Sequence, residues 1–164
     1  MNCSVLELLE QHRGSNLLVD TNILLVYCVG QFRPALVPVF KRTCEFSVDD
    51  YKLLAAIWSR FPKRLTTPPI LAEVTNYLRQ QKGLHLTGVL HSLISSIELL
   101  DERYTPSKSL TSKESFLPLG LTDSAIADLA QREALVLTTD LKLWQFLKKN
   151  RMQVINFNHP RQIR

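Results

Sequence analysis

Four carboxylates in this chain stand where chemistry is possible. Asp20 ends the apolar run Leu17-Leu18-Val19 and is followed by Thr21-Asn22. Asp140 ends the run Leu135-Val136-Leu137-Thr138-Thr139. Glu73 follows the pair Pro68-Pro69 within the sequence Ile70-Leu71-Ala72-Glu73-Val74, and Asp123 follows Leu121-Thr122. Ligands of open α/β sheets bind at the carboxyl ends of the strands. The first turns of the helices that leave those strands lie at the same edge, so all four acids are expected to converge there. Four carboxylates in one place cannot all stay ionised without cations. An oxygen-only donor set suits a hard divalent ion, Mg²⁺ or Mn²⁺. Taken singly, each acid has a plainer explanation. Glu73 and Asp123 near helix N-termini stabilise the helix dipole, and Asp20 and Asp140 can cap the helices that follow them. The joint occurrence, with neutral oxygens from Thr21, Asn22, Thr138 and Thr139 beside it, is what the plain explanations leave over.

The elements that must position these acids alternate along the chain. Val5, Leu6, Leu8 and Leu9 predict a short amphipathic helix before Gly14-Ser15-Asn16. Residues 17–19 read as a buried strand, and Thr21-Asn22 as the cap of a helix over 23–29. Ser47-Val48-Asp49-Asp50 resembles a capping box opening a helix through Trp58. A strand over 64–67 stops at Pro68-Pro69, and since proline suits a first helical turn a helix follows over 70–81. Residues 87–100 are apolar at helical spacing, and the polar stretch 104–119 leaves room for one further short helix. Thr122 is expected to cap a helix through Glu133. A strand over 135–138, a helix over 141–150 and a strand over 153–157 complete the chain. Strands alternating with helices imply a parallel sheet covered on both faces.

At 164 residues the simplest organisation is a single domain over 1–164. The first residues have no basic segment before their apolar ones, so no signal peptide is expected. No apolar run is long enough to span a bilayer, so no membrane partner and a cytoplasmic location are expected. Cys3, Cys28 and Cys44 have no paired spacing, which argues against a disulfide framework or a zinc knuckle. Cys28 reads as a small core residue. His12, His85, His91 and His159 are scattered, and HExxH, P-loop, dinucleotide and nucleophile-elbow patterns are all missing. Net charge is +5, and any clustering of acids leaves the remaining surface more positive still. That favours a polyanionic partner. The basic groups are Lys41-Arg42, Arg60 with Lys63-Arg64, Arg79 with Lys82, and Lys148-Lys149 with Arg151. Tyr27 and Phe32 have rings that can stack on bases, with core packing as the simpler role.

In order and character, the blocks around Asp20, Glu73, Asp123 and Asp140 resemble those of the PIN-domain nucleases, the closest in style being the small prokaryotic, VapC-like toxin ribonucleases. The resemblance covers nearly the whole chain; its motifs are short, and their ordered set carries the specificity. It implies a three-layer α/β/α PIN-like fold with a central parallel sheet. It also implies an endoribonuclease that hydrolyses RNA phosphodiester bonds with Mg²⁺ or Mn²⁺. On that reading Asp20 and Asp123 are the principal cation ligands and Asp140 a further one. Glu73 ligates, serves a second cation or orients water. Thr21, Asn22 and Thr139 hydrogen-bond the carboxylates or the scissile phosphate, and Lys142 contacts phosphate. Asp128, one turn beyond Asp123, is expected to be a solvated or capping acid. The implied partners are an RNA substrate, a protein antitoxin and a second copy of the chain, paired through the apolar face of residues 89–100. A housekeeping RNA-processing nuclease, and a catalytically silent fold serving as an RNA-binding or assembly module, are the alternatives. A phosphotransfer domain also places Asp after its first strand. There is no Asp-x-Asp after this strand and no adjacent acid pair before it, as that class would have.

Overall fold

Strand order is what makes a site of the scattered acids. The computed structural model describes residues 10–12, 14–80 and 85–162. Within them the elements run β1 (Asn16–Val19), α1 (Thr21–Phe32), a 3₁₀ turn (Pro34–Leu36), α2 (Val48–Arg60), β2 (Arg64–Thr66), α3 (Pro68–Arg79), α4 (Leu86–Ile97) and β3 (Asp101–Glu102). They continue as α5 (Ser107–Leu110), α6 (Phe116–Arg132), β4 (Ala134–Thr138), α7 (Leu141–Lys149), β5 (Val154–Asn156) and α8 (Asn158–Gln162). The five strands are all parallel, in the order β3-β2-β1-β4-β5. The chain builds outward from β1 to β3, then returns to the other side of β1 with β4. The reversal of direction therefore falls between β1 and β4, which pair from Asn16↔Ala134 to Val19↔Leu137. With α1 packed on α2, α3 and α4, and α6 packed on α7, the result is a three-layer α/β/α fold.

Burial follows from that sandwich. All five residues of β4 are buried, as a central parallel strand requires. Helix α1 is buried nearly all round: Ile23, Leu24, Leu25, Val26, Cys28 and Val29 are inaccessible. Such a helix carries no polar face because it is covered on every side. Its close approach to α2 depends on Gly30, where a Cβ would stand 2.1 Å from the Tyr51 ring. Burial pushes the Cys28 thiol up to about 12, which suits its expected core role. Tyr27 stacks on Trp58 at 4.0 Å between ring centroids, so it too serves packing. Among the described residues no helix is long and apolar enough to cross a membrane.

Several local expectations change. The helix expected from Val5 to Leu9 lies outside the described residues, as do Cys3 and Lys82. The capping box of α2 is present in both directions, Ser47 N donating to Asp50 Oδ2 at 2.7 Å and Asp50 N to Ser47 Oγ at 3.1 Å. Helix α1 starts earlier than expected and is capped by Asp20, whose Oδ1 accepts from Ile23 N at 2.8 Å. Thr21 and Asn22 are inside the helix. Thr122 caps nothing either: α6 begins at Phe116 and is broken at Gly120, with φ 82° and ψ −173°. That backbone region is open almost only to glycine. The break lets a new helical segment start at Leu121, so Asp123 keeps its expected place in a first turn. Asp128 is neither solvated nor a cap. It is buried, pairs with Arg132 at 2.7 Å and Lys113 at 3.3 Å, and accepts from Thr105 Oγ1 at 3.0 Å. The two-residue edge strand β3 had no apolar signature to announce it.

Candidate active site at the carboxyl edge of the sheet

Asp20 and Asp140 end neighbouring strands and are held in the same manner. Each caps the helix that follows it, Asp140 Oδ1 accepting from Leu143 N at 2.8 Å. The two strand ends are tied together through Thr138. Its hydroxyl donates to Asp20 Oδ2 and accepts from Asp140 N at 2.9 Å. Thr139 N also donates to Asp20 Oδ2, at 3.2 Å. The expected partner Thr139 therefore acts through its backbone, and Thr138 supplies the hydroxyl. Burial raises the Asp20 carboxyl above its ordinary value, against the pull of these hydrogen bonds, and Asp140 adds to the rise.

Glu73 lies in the second turn of α3 and reaches across two other helices. Its Oε2 accepts from Thr21 Oγ1 at 2.8 Å and its Oε1 from Thr122 Oγ1 at 2.6 Å. The glutamate thereby staples the starts of α1 and of the second segment of α6. Thr122 is a site residue that its sequence position had marked only as a cap.

Asp123 completes the group. Its carboxyl is pushed up to about 7, first by burial and then by the negative charges of Asp140, Asp20 and Glu73, with Lys142 opposing. The three other acids thus all act on Asp123, and Lys142 is the cation that opposes them there. They line one cleft of about 510 Å³ together with Thr21, Asn22, Tyr77 and the backbone turn at Gly120. Tyr77 stands one turn beyond Glu73 on α3, a spacing that could have marked it as a neighbour.

The donor set of this cleft is oxygen throughout, as a hard divalent cation requires. Four carboxylates line it with Lys142 nearby, an excess of negative charge that a bound cation would offset. Among the described residues, no three His, Cys, Asp or Glu side chains form a ready-made grip for a metal ion. Asp20, Glu73 and Asp140 each turn an oxygen to a protein donor instead.

The basic groups are divided between the two edges of the sheet. Arg64 opens β2, with Lys63 before it, and Lys148-Lys149 close α7, which runs away from its cap at Asp140. These groups lie at the amino edge, away from the acids. Lys142 is the cation that acts on Asp123, and Tyr77, which lines the cleft, carries a second cation on its ring. Arg42 stacks over Tyr77, its guanidinium carbon 4.2 Å from the ring centroid. No protein-family model, curated protein or solved structure matches the chain.

Proposed function

We propose that this chain is a Mg²⁺- or Mn²⁺-dependent endoribonuclease of the PIN type. The observation that carries the reading is that β1 and β4, neighbours at the reversal of strand order, are each followed within two residues by an aspartate in a cleft that also holds Glu73 and Asp123. Asp20, Asp123 and Asp140 would hold the cation, with Glu73 at its margin. When bound, the ion makes a water nucleophilic at neutral pH and draws charge from the phosphate. The chain's own groups do the rest. Thr138 and the Thr139 N–H fix the Asp20 carboxylate. Thr21 and Thr122 fix Glu73, leaving it placed to orient a water in the cleft. Lys142, on the first turn of α7, offers a charge to the phosphate. No histidine or serine nucleophile is needed.

Within this reading the toxin of a toxin–antitoxin pair leads. Ile94, Ile97 and Leu99 are exposed on and just after α4, and they support pairing of two copies through that face. Light scattering tests the pairing, and a monomeric mass at working concentration refutes it. The enzymatic reading is tested with a mixed pool of structured and unstructured RNAs incubated with Mg²⁺, Mn²⁺ or EDTA. Cutting that requires metal and disappears in Asp20→Ala and Asp123→Ala is the expected result. Folded protein that binds the pool and cuts nothing under either metal would leave a silent RNA-binding module. Growth arrest on expression, relieved by Asp20→Asn, is the expected sign of a toxin; harmless high expression of the native chain refutes that role.

A further inference from the structure

A cleft lined by four carboxylates repels the phosphates of its own substrate. Cations at its rim must therefore hold the strand on either side of the reacting phosphate. Lys142 stands on one side, near enough to Asp123 to lower its carboxyl. On α3, Tyr77 lines the cleft one turn past Glu73 and carries the Arg42 guanidinium on its ring. Tyr77 is half-buried and Arg42 exposed. One guanidinium nitrogen, Nη2, donates to Gln80 Oε1 at 3.2 Å. Arginine has five N–H donors in a planar fork, so others remain for a ligand. The Gln80 bond and the ring hold this flat cation in place on Tyr77, whose side chain lines the cleft.

We propose that the Arg42–Tyr77 stack is the subsite for the nucleotide next to the scissile phosphate of a single-stranded RNA. The reading rests on the nuclease proposal above and deepens it. The stack offers a π-face and a flat cation together, which is the combination that holds unpaired bases without demanding one sequence. The guanidinium's remaining N–H donors would also meet phosphate oxygens, as the charge of Lys142 would. A paired duplex presents no free base face, so the subsite selects single strands. The clusters at Lys63-Arg64 and Lys148-Lys149, at the opposite edge, have no part in it.

The test uses a short unstructured RNA of mixed sequence. Affinity is read by fluorescence anisotropy, and KM and kcat from cleavage with Mn²⁺. Arg42→Ala and Tyr77→Leu are each expected to weaken binding and raise KM about tenfold, within the range of one base stack, with kcat little changed. Tyr77→Phe restores most of the affinity lost in Tyr77→Leu, and Arg42→Lys is intermediate because it keeps charge and loses the planar stack. These conservative variants decide the matter should a larger change disturb folding. Lys148→Ala combined with Lys149→Ala leaves both readouts in place. If the native chain binds and cuts RNA and all the Arg42 and Tyr77 variants match it, this subsite is overturned while the nuclease reading stands. If the native chain neither binds nor cuts RNA, both are overturned.

Discussion

Asp123 and Asp128 lie five positions apart on one helix and live in opposite surroundings. Asp128 is buried beside Arg132 and Lys113 and accepts from Thr105. Its charge is answered from within the chain, and its work is to fasten the segment from Thr105 to Lys113 against α6. Asp123 faces Asp140, Asp20 and Glu73, with only Lys142 to offset them, and its carboxyl rises to about 7. A buried acid with its own cations is a structural joint. A buried acid among other acids, with one lysine against three carboxylates, is pushed toward its neutral form, and such a cluster in a cleft marks a candidate functional site.

The largest expected separation between the two is in activity. Asp123→Ala or Asp20→Ala should reduce RNA cleavage on the order of 10³-fold, the scale of several kcal/mol of lost charge stabilisation. Asp128→Ala should leave the turnover of the folded protein within about twofold, since its partners are remote from the cleft. Equal losses of turnover in both would dissolve the contrast.

A second separation appears in pH dependence. The folded carboxyl of Asp123 titrates near 7, above the ordinary 3.8. Between those values the folded protein holds a proton that the unfolded chain has released. Stability of the metal-free protein should therefore fall as pH rises from about 4 to about 7, by an amount on the order of a few kcal/mol. Mg²⁺ or Mn²⁺ binds the ionised form, so its stabilising effect should grow across the same window. Asp123→Asn should flatten both trends. Thermal melts at several pH values, with and without metal, check this; a metal effect that shrinks as pH rises would contradict it.

Smaller effects sharpen the comparison further. Asp128→Ala should cost about 2 kcal/mol, because it removes the acceptor of the partly buried Thr105 hydroxyl and the partner of two partly exposed cations. For a chain of this size that lowers the melting temperature by roughly 4–8 °C. Gly120→Ala should cost about 1–2 kcal/mol from backbone strain alone, because a Cβ there meets nothing within 4 Å. Its activity loss should exceed its stability loss, since the same bend aims Thr122 and Asp123 into the cleft. A variant that melts early and cuts at the native rate would show that the bend serves folding only.

Much of this arrangement was readable in the residues, and the reason is locality. The apolar runs that end in Asp20 and Asp140, the capping box of Ser47 and Asp50, and the proline-led start of α3 are all stated within a few positions of sequence. The alternation of strand and helix carried the layer architecture. Some local readings failed because a competitor sat one residue or a few away. Asp20 outcompeted Thr21 and Asn22 as a cap, and Gly120 supplied the helix break that Thr122 had been expected to mark.

What the tertiary structure alone decided is long-range pairing. Nothing near Thr138 says that its hydroxyl will hold Asp20, and nothing near Glu73 says that Thr21 and Thr122 will hold its two oxygens. Thr138 meets Asp20 because β4 returns to lie beside β1, and Glu73 meets Thr21 because β2 lies on the other side of β1. The same return sends Lys148-Lys149 to the far edge, keeps Lys142 at the acids, and separates Asp128 with its paired cations from Asp123 among its fellow acids. Residue type and spacing set which groups can do chemistry. Strand order sets which of them share a volume small enough for their charges to interact.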